Sequence, residues 1–141
     1  MKDPYNLQRF LDAQQPVIEQ VAVELKAGRK RSHWMWFVFP QIKGLGHSQL
    51  ARKFAISSLA EADAYLAHPI LGERLKDCTR QVNAVQGIPA EQIFGYPDDM
   101  KFRSCMTLFA AVPFADLVFS VALQQYFDGD ADPATLERLA P

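Results

Sequence analysis

The densest group of chemically versatile side chains lies in the segment Arg29–Gln41, which reads RKRSHWMWFVFPQ. The forked guanidinium of Arg29 and the ammonium of Lys30 suit a phosphate or a carboxylate. An imidazole such as that of His33 gives and takes protons near neutral pH, and an indole such as that of Trp34 stacks on a planar base. These residue types, closed by the amide of Gln41, predict a binding site for an anionic, nucleotide-like molecule.

A second cluster begins the helix that we predict from Asp98 onward. Asp98 and Asp99 suit the positive end of a helix dipole, whereas Lys101 and Arg103 in the same turn oppose it. These cations indicate a bound anion or ion pairs with acids elsewhere. If the two clusters meet in space, either aspartate could orient His33 as an acid/base pair. The predicted catalytic residues are His33, Asp98 and Asp99, and the predicted ligand-binding residues are Arg29, Lys30, Trp34, Gln41, Lys101 and Arg103.

Both clusters also have ordinary structural interpretations. We predict that Trp36, Phe37 and Phe39 are core residues, and three cations before a core segment are often only solvated. The glycine-containing stretch Gly44–His47 can bring backbone N–H groups close to an anion, although it is a weak signal by itself.

Other reactive residue types show no catalytic spacing. His33, His47 and His68 are spread along the chain, and Cys78 and Cys105 lie on apolar helical faces, where unreactive buried thiols are expected. There is no glycine-rich phosphate loop, no His-Glu-x-x-His, no Gly-x-Ser-x-Gly and no Cys-x-x-Cys. We therefore predict no metal site and no cofactor.

The net charge of -1 conceals an uneven distribution of charge. Residues 1–57 contain nine Lys or Arg and four Asp or Glu, a balance of +5, so the remainder carries -6. No acid occurs from Leu25 to Ala60, whereas seven Lys or Arg and two histidines do. Such a stretch is typical of an anion site, unless the acidic second half neutralises it within the fold. A pI near 6.3 disfavours nucleic acid, whose binders usually have a dominant basic surface.

The N-terminal residues indicate a cytoplasmic protein. Met1 is followed by Lys2-Asp3-Pro4 and further polar residues, without the apolar core of a signal peptide. Few and unpatterned cysteines fit a reducing compartment. The apolar stretch Cys105–Leu123 contains Pro113 and Asp116, and a central Asp costs about 2.5–3.5 kcal/mol on membrane-insertion scales. We therefore predict no membrane partner.

Apolar residues at helical spacing, interrupted by proline and glycine, occupy most of the chain. Asp3-Pro4 and Asp132-Pro133 are typical of helix starts, and Ser58 with Glu61 has the pattern of a capping box. Phe114–Phe127 is apolar nearly all round and is predicted to be the central buried helix. Without hairpin signals or strand–helix alternation, the sequence predicts an all-α single domain, residues 1–141, with about seven helices and short loops.

Several blocks resemble the bacterial family called domain of unknown function 1810. The resemblance covers nearly the whole chain, implies a mostly helical single domain and assigns no catalytic residue. Some members are labelled calpastatin-like, but nothing in this chain resembles a protease-inhibitor repeat. The blocks that carry the resemblance are residues 7–10, 12–14, 28–46 (GRKRSHWMWFVFPQIKGLG), 56–59, 61–62, 65–69, 71–72, 93–95, 98–99, Lys101 and 104–109.

Three functions remain open from the sequence. The first is binding, with or without turnover, of a phosphorylated or nucleotide-like anionic small molecule at the two clusters. The second is a non-catalytic protein interaction module, in which the Arg29–Gln41 segment is core plus a protein-facing surface. Nucleic-acid binding is the least favoured, and the oligomeric state is not predicted.

Overall fold

The structure, a computed structural model, describes residues 2–140, so Met1 and Pro141 at the ends of the predicted domain lie outside the described residues. Within this range there are helices and no β-strand, which confirms the predicted all-α class. Seven helices have seven residues or more, as predicted. Of the three shorter ones, two lie where the sequence predicts short helices, within residues 48–56 and 89–95, whereas the third lies in the apolar run 34–39, for which periodicity does not distinguish strand from helix. In chain order the helices are α1 (Gln8–Gln14), α2 (Ile18–Lys26), α3 (Met35–Val38), α4 (Gln49–Lys53), α5 (Leu59–Ala67), α6 (Leu71–Asn83), α7 (Ala90–Phe94), α8 (Asp98–Ala110), α9 (Val118–Phe127) and α10 (Pro133–Leu139).

Local capping signals account for several helix starts. Ser58 Oγ accepts a hydrogen bond from the Glu61 N–H at 3.1 Å, at the start of α5. Asp132 Oδ2 accepts one from the Thr135 N–H at 3.2 Å, with proline at the first position of α10. Asp3 also accepts backbone hydrogen bonds, but from Leu7 and Gln8, so α1 begins later than Pro4.

The most deeply buried helix is α8, in which every residue from Ser104 to Phe109 is buried. It packs against α5, α7, α9 and α10. The prediction that Phe114–Phe127 forms the central helix is wrong, because α9 begins only at Val118 and leaves Val121 48% exposed. No helix within residues 2–140 is long and apolar enough to cross a membrane.

A close contact between α5 and α6 fixes the position of α5. A Cβ built on Gly72 would lie 2.1 Å from the carbonyl oxygen of Leu66, so only glycine fits there. On the opposite side of α5 the buried ring of Tyr65 lies 5.1 Å from that of Phe10, centroid to centroid. This edge-to-face contact holds α1 against α5, and thereby brings Arg9 beside Glu61.

The loop that contains α4 is closed by a parallel bridge. The Ile56 N–H donates to the Gln41 carbonyl at 2.9 Å, and the Lys43 N–H donates to the Ile56 carbonyl at 2.8 Å. Gly44 follows at once with φ +99, and a Cβ there would lie 2.4 Å from Arg138 Nη1. The loop therefore rests on the end of α10, and glycine satisfies both the backbone angle and the close approach.

Candidate functional site

The two predicted clusters meet in space through an ion pair. Lys30 Nζ lies 2.8 Å from Asp98 Oδ2, and Lys101 Nζ lies 3.5 Å from Asp98 Oδ1. The same ammonium groups lie over aromatic rings, Lys30 at 5.3 Å from the Trp34 centroid and Lys101 at 5.2 Å from that of Trp36. Asp98 thus pairs with one lysine of each cluster, where the sequence interpretation had placed an anionic ligand.

The indole of Trp34 is buried by other residues of the protein. Its side chain is 1% exposed, so neither face of the indole is open to a ligand in this structure. Its Nε1 donates to Glu24 Oε1 at 2.9 Å, which satisfies the one polar atom of the ring. Stacking of a base on Trp34 does not fit this arrangement.

Glu24 organises the turn that precedes α3. Its carboxylate accepts from the N–H groups of Arg31 (2.6 Å) and Ser32 (3.0 Å), the Ser32 hydroxyl (2.6 Å), the Trp34 indole and the Gln20 amide (3.0 Å). Burial raises the pKa of Glu24, but these hydrogen bonds outweigh it and lower the pKa to about 2. The sequence interpretation missed Glu24, although its position three residues after Val21, on the apolar face of α2, was a signal for a buried acid.

The predicted acid/base residues lie in different environments. His33 is exposed on the turn, whereas Asp99 is only 9% exposed at the start of α8. Within residues 2–140 no hydrogen bond joins His33 to Asp98 or Asp99, and the buried Oδ1 of Asp99 has no partner there. Catalysis by these three residues stays a prediction, and it requires side-chain movement.

Arg103 and Gln41 make contacts within the fold. Arg103 Nε donates to the Asp130 carbonyl at 2.9 Å and Nη2 to the Ala131 carbonyl at 3.0 Å, which ties α8 to the turn before α10. Gln41 contributes its backbone carbonyl to the parallel bridge. Arg103 lies in the second turn of α8, and these contacts account for its position without an anion. The ligand-binding roles of both residues stay predictions.

A cavity of about 690 Å³ adjoins the Arg29 segment. Arg29, Lys30, Glu91 and Gly95 are among the residues that line it. Lys30 is paired with Asp98. Of the other described residues on the wall, Arg29 carries one positive charge and Glu91 one negative charge, without an ion pair between them. The wall is close to neutral once Asp98 is counted, so it has little tendency to concentrate an anion.

A second cavity of about 600 Å³, which we name the Gly44 pocket, lies between the turn before α1 and the loop that contains α4. Its cationic lining comes from two segments that are far apart in the chain, and its single acid comes from α5. The charged residues and the histidine on its wall are Arg9, Lys43, His47, Arg52, Lys53 and Glu61.

Arg9 and Glu61 form the rigid part of this pocket. Arg9 Nη2 lies 2.9 Å from Glu61 Oε2, with the side chains 14% and 3% exposed. The other Arg9 donors bind the carbonyls of Tyr5, Asn6, Lys53 and Ala55 at 2.6–2.8 Å. Glu61 Oε1 accepts from the Ser57 N–H (2.9 Å) and hydroxyl (2.7 Å), in place of the Ser58 N–H that the capping box predicted. All five donors of the guanidinium are used, so Arg9 supports the pocket and is not a free ligand for an anion.

The remaining cations of the Gly44 pocket have no acidic partner in the described part of the chain. Lys43, Arg52 and Lys53 are exposed, and none of them forms an ion pair within residues 2–140. Glu61, the only acid among the described residues on the wall, is already neutralised by Arg9. The pocket therefore carries about three uncompensated positive charges, in contrast to the nearly neutral cavity beside Arg29.

The predicted site lies in the first half of the acid-free stretch, whereas the cations of the Gly44 pocket that have no acidic partner in the described chain lie in its second half. The stretch runs to Ala60, and its second half contains Lys43, Arg52 and Lys53 together with the Gly44–His47 loop. That loop was a weak signal when considered alone. Adding the three cations that flank it would have strengthened the signal, whereas the contribution of Arg9 from α1 could not be read from spacing.

The cysteines behave as predicted. Cys78 and Cys105 are both buried and free. Burial raises the pKa of Cys78 to about 12 and also raises that of Cys105. Among residues 2–140, no three side chains of His, Cys, Asp or Glu are grouped so as to hold a metal ion.

Comparison with known families identifies the chain. The model of a family described as "Protein of unknown function (DUF1810)" matches residues 4–139. The chain belongs to this family. The resemblance inferred from the RKRSHWMWFVFPQ block is thereby confirmed.

A solved structure shares the whole fold. The crystal structure of the conserved hypothetical protein Rv1873 from Mycobacterium tuberculosis is similar, at 55% identity and a TM-score of 0.97. The similarity covers 99% of this chain and 99% of that chain. No curated protein matches the chain.

Proposed function

We propose that this protein binds a small anionic molecule, most naturally a phosphorylated one, in the Gly44 pocket. The observation that carries the proposal is the convergence of three exposed cations, Lys43, Arg52 and Lys53, on a cavity whose only acid is paired with Arg9. Cations held together without counter-charges repel one another, and a bound anion relieves that repulsion.

The shape of the pocket supports the same ligand class. A cavity of about 600 Å³ falls in the range of about 300–1,000 Å³ typical of small-molecule sites. Arg52 offers a planar fork for phosphate oxygens and the two lysines offer point charges. Tyr5 and His47 on the wall provide planar groups for the rest of a ligand. Nucleic acid stays the less favoured ligand, since the net charge of the chain is -1.

Calorimetry and thermal-shift measurements with inorganic phosphate, AMP, glucose 6-phosphate and citrate test the proposal. A charge-assisted hydrogen bond contributes about 1.5–3 kcal/mol, so Lys43→Gln with Arg52→Gln should weaken binding at least about tenfold. The matched control is Arg29→Gln with Arg31→Gln, which removes the same charge from exposed arginines outside the Gly44 pocket. It should change the affinity less than about twofold.

Two results would contradict the proposal. One is the absence of any thermal shift across the panel, because a ligand at a hundred times its Kd stabilises a protein by about 2.7 kcal/mol. The other is equal weakening by both double variants, since a loss of overall charge would then explain the data. If only the Arg29 and Arg31 variant loses binding, the site lies in the segment favoured by the sequence.

One observation favours the interaction module as a second candidate function. Phe114 is fully exposed at φ +61, a backbone angle that is unusual for an aromatic residue, and Leu117 is 75% exposed beside it. Val121 is 48% exposed, so three large apolar side chains are exposed within residues 114–121. Phe114→Ser with Leu117→Ser should leave phosphate binding unchanged, so the two functions can be separated by these variants.

A further inference from the structure

A third cavity adjoins the Gly44 pocket. Its volume is about 440 Å³, and it shares Lys43, Gly44 and Ser57 with the Gly44 pocket. Its other walls come from Leu59 and its neighbours and from the end of α10, where Arg138 lies. We name it the Arg138 cavity. None of the described residues that line it is an acid, and its cations are Lys43 and Arg138.

Gly44 borders both cavities and has no side chain to close either of them. The Arg138 guanidinium lies directly on this glycine, since a Cβ there would be 2.4 Å from Nη1 and 2.6 Å from Cζ. Any side chain at position 44 would therefore displace Arg138.

Arg138 is positioned by its packing on Gly44 and not by polar contacts within residues 2–140. Its side chain is exposed, and it makes no hydrogen bond or ion pair within residues 2–140. Arg9 shows the opposite case, because all five of its donors bind acceptors of the protein. A guanidinium packed beside a cationic pocket, whose donors have no acceptor among residues 2–140, is suited to a second anionic group of a ligand.

We infer that the Gly44 pocket and the Arg138 cavity are two subsites of one site, and that its ligand carries two separated anionic groups, as a bisphosphate does. This inference rests on the proposed function. Lys43, which borders both cavities, serves both groups, whereas Arg52 and Lys53 serve the first and Arg138 serves the second. A monophosphate fills the first subsite only.

Calorimetry with glucose 6-phosphate and glucose 1,6-bisphosphate tests the inference, because the two esters differ by one phosphate. The native chain should bind the bisphosphate at least about tenfold more tightly, the value of one charge-assisted contact. Arg138→Gln should remove this advantage and leave glucose 6-phosphate within about twofold. Lys43→Gln should weaken both esters.

The control for general electrostatic attraction is Arg31→Gln, which removes an equal charge from an exposed arginine outside both cavities. It should preserve the advantage of the bisphosphate. Thermal unfolding of each variant shows whether it is folded, and Arg138→Lys, which keeps the charge, provides a second variant if Arg138→Gln is unstable. Arg138→Lys should then reduce the advantage of the bisphosphate, because lysine lacks the forked donors.

The outcomes separate this inference from the proposed function. Binding of glucose 6-phosphate with no advantage for the bisphosphate overturns the two-subsite arrangement and leaves the proposed function standing. An advantage that survives Arg138→Gln, or that Arg31→Gln removes equally, also overturns it. Failure of both esters to bind overturns the inference and counts against the proposed function as well.

Discussion

Replacing Glu24 with glutamine tests whether the charge of one buried carboxylate holds the turn before α3. Glutamine has nearly the same shape, so its Oε1 can still accept from the N–H groups of Arg31 and Ser32 and from the Trp34 indole. The Ser32 hydroxyl and the Gln20 amide can both rotate to accept from the new amide group. Glu24→Gln therefore removes the charge while it preserves most of the geometry.

The pKa of Glu24 gives the size of the effect. A fall from 4.5 to about 2 in the folded protein means that the ionised form stabilises the fold by about 3 kcal/mol at pH 7. Because the folded pKa is the lower one, this stability is present above pH 4.5 and is lost as the pH falls toward 2. At pH 3 about 1 kcal/mol should remain.

Urea unfolding of the native chain and of Glu24→Gln, at several pH values from 7 to 3, measures this difference. The control is Glu137→Gln, which removes an exposed carboxylate with no ion pair in the described chain. It should change the free energy of unfolding by less than about 0.5 kcal/mol. A Glu24→Gln difference that is independent of pH would refute the reasoning, since the loss would then come from packing and not from charge.

Further predictions concern the other structural features. Gly72→Ala should lower the free energy of unfolding, measured in urea, by more than about 3 kcal/mol, because its Cβ would meet the Leu66 carbonyl oxygen at 2.1 Å. An unchanged midpoint of urea unfolding would show that α5 and α6 can move apart at little cost in free energy. Arg9→Lys should lower both stability, by about 2–4 kcal/mol, and affinity for inorganic phosphate, since lysine cannot satisfy all five acceptors. Cys78 and Cys105 should react with a thiol reagent at pH 7 only on unfolding, because burial raises both pKa values; rapid labelling of the folded chain would contradict their burial.

Local patterns predicted the helical elements but not their depth in the fold. Caps such as Ser58 and Asp132 act over three residues, so their pattern in the chain defines where a helix begins. The apolar stretch Phe114–Phe127 misled the prediction because its first residues lie in an exposed turn. The more polar stretch from Asp98 forms the buried α8, in which Thr107 Oγ1 donates to the Arg103 carbonyl at 2.9 Å. Hydropathy does not show that a hydroxyl group can form its hydrogen bond within its own helix and so be buried.

The sequence predicted that a ligand of this protein would be an anion, but it did not predict which cations would be available to bind one. The acid-free stretch indicated an anion site, but Lys30 and Lys43 belong to it equally, and spacing does not show which cations are neutralised. That depends on Asp98, which lies far from Lys30 in the chain but 2.8 Å from it in the fold. Arg9 approaches Glu61 in the same way. Long-range ion pairs of this kind follow from helix packing and not from local sequence.

The helix α10 is attached unequally at its two ends. Its start is secured by Asp132, whose Oδ2 accepts from Ser104 Oγ (2.9 Å) and Thr135 Oγ1 (2.6 Å) while its N–H donates to Thr107 Oγ1 at 2.8 Å. In its last turn Arg138 lies on Gly44 and Leu139 is only partly buried against the core. The amide hydrogens of the last turn should therefore exchange with solvent sooner than those of the first. A ligand that joins Arg138 to the Gly44 loop would slow that exchange. The exchange rate of the amide hydrogens in the last turn of α10 therefore reports whether the ligand is bound.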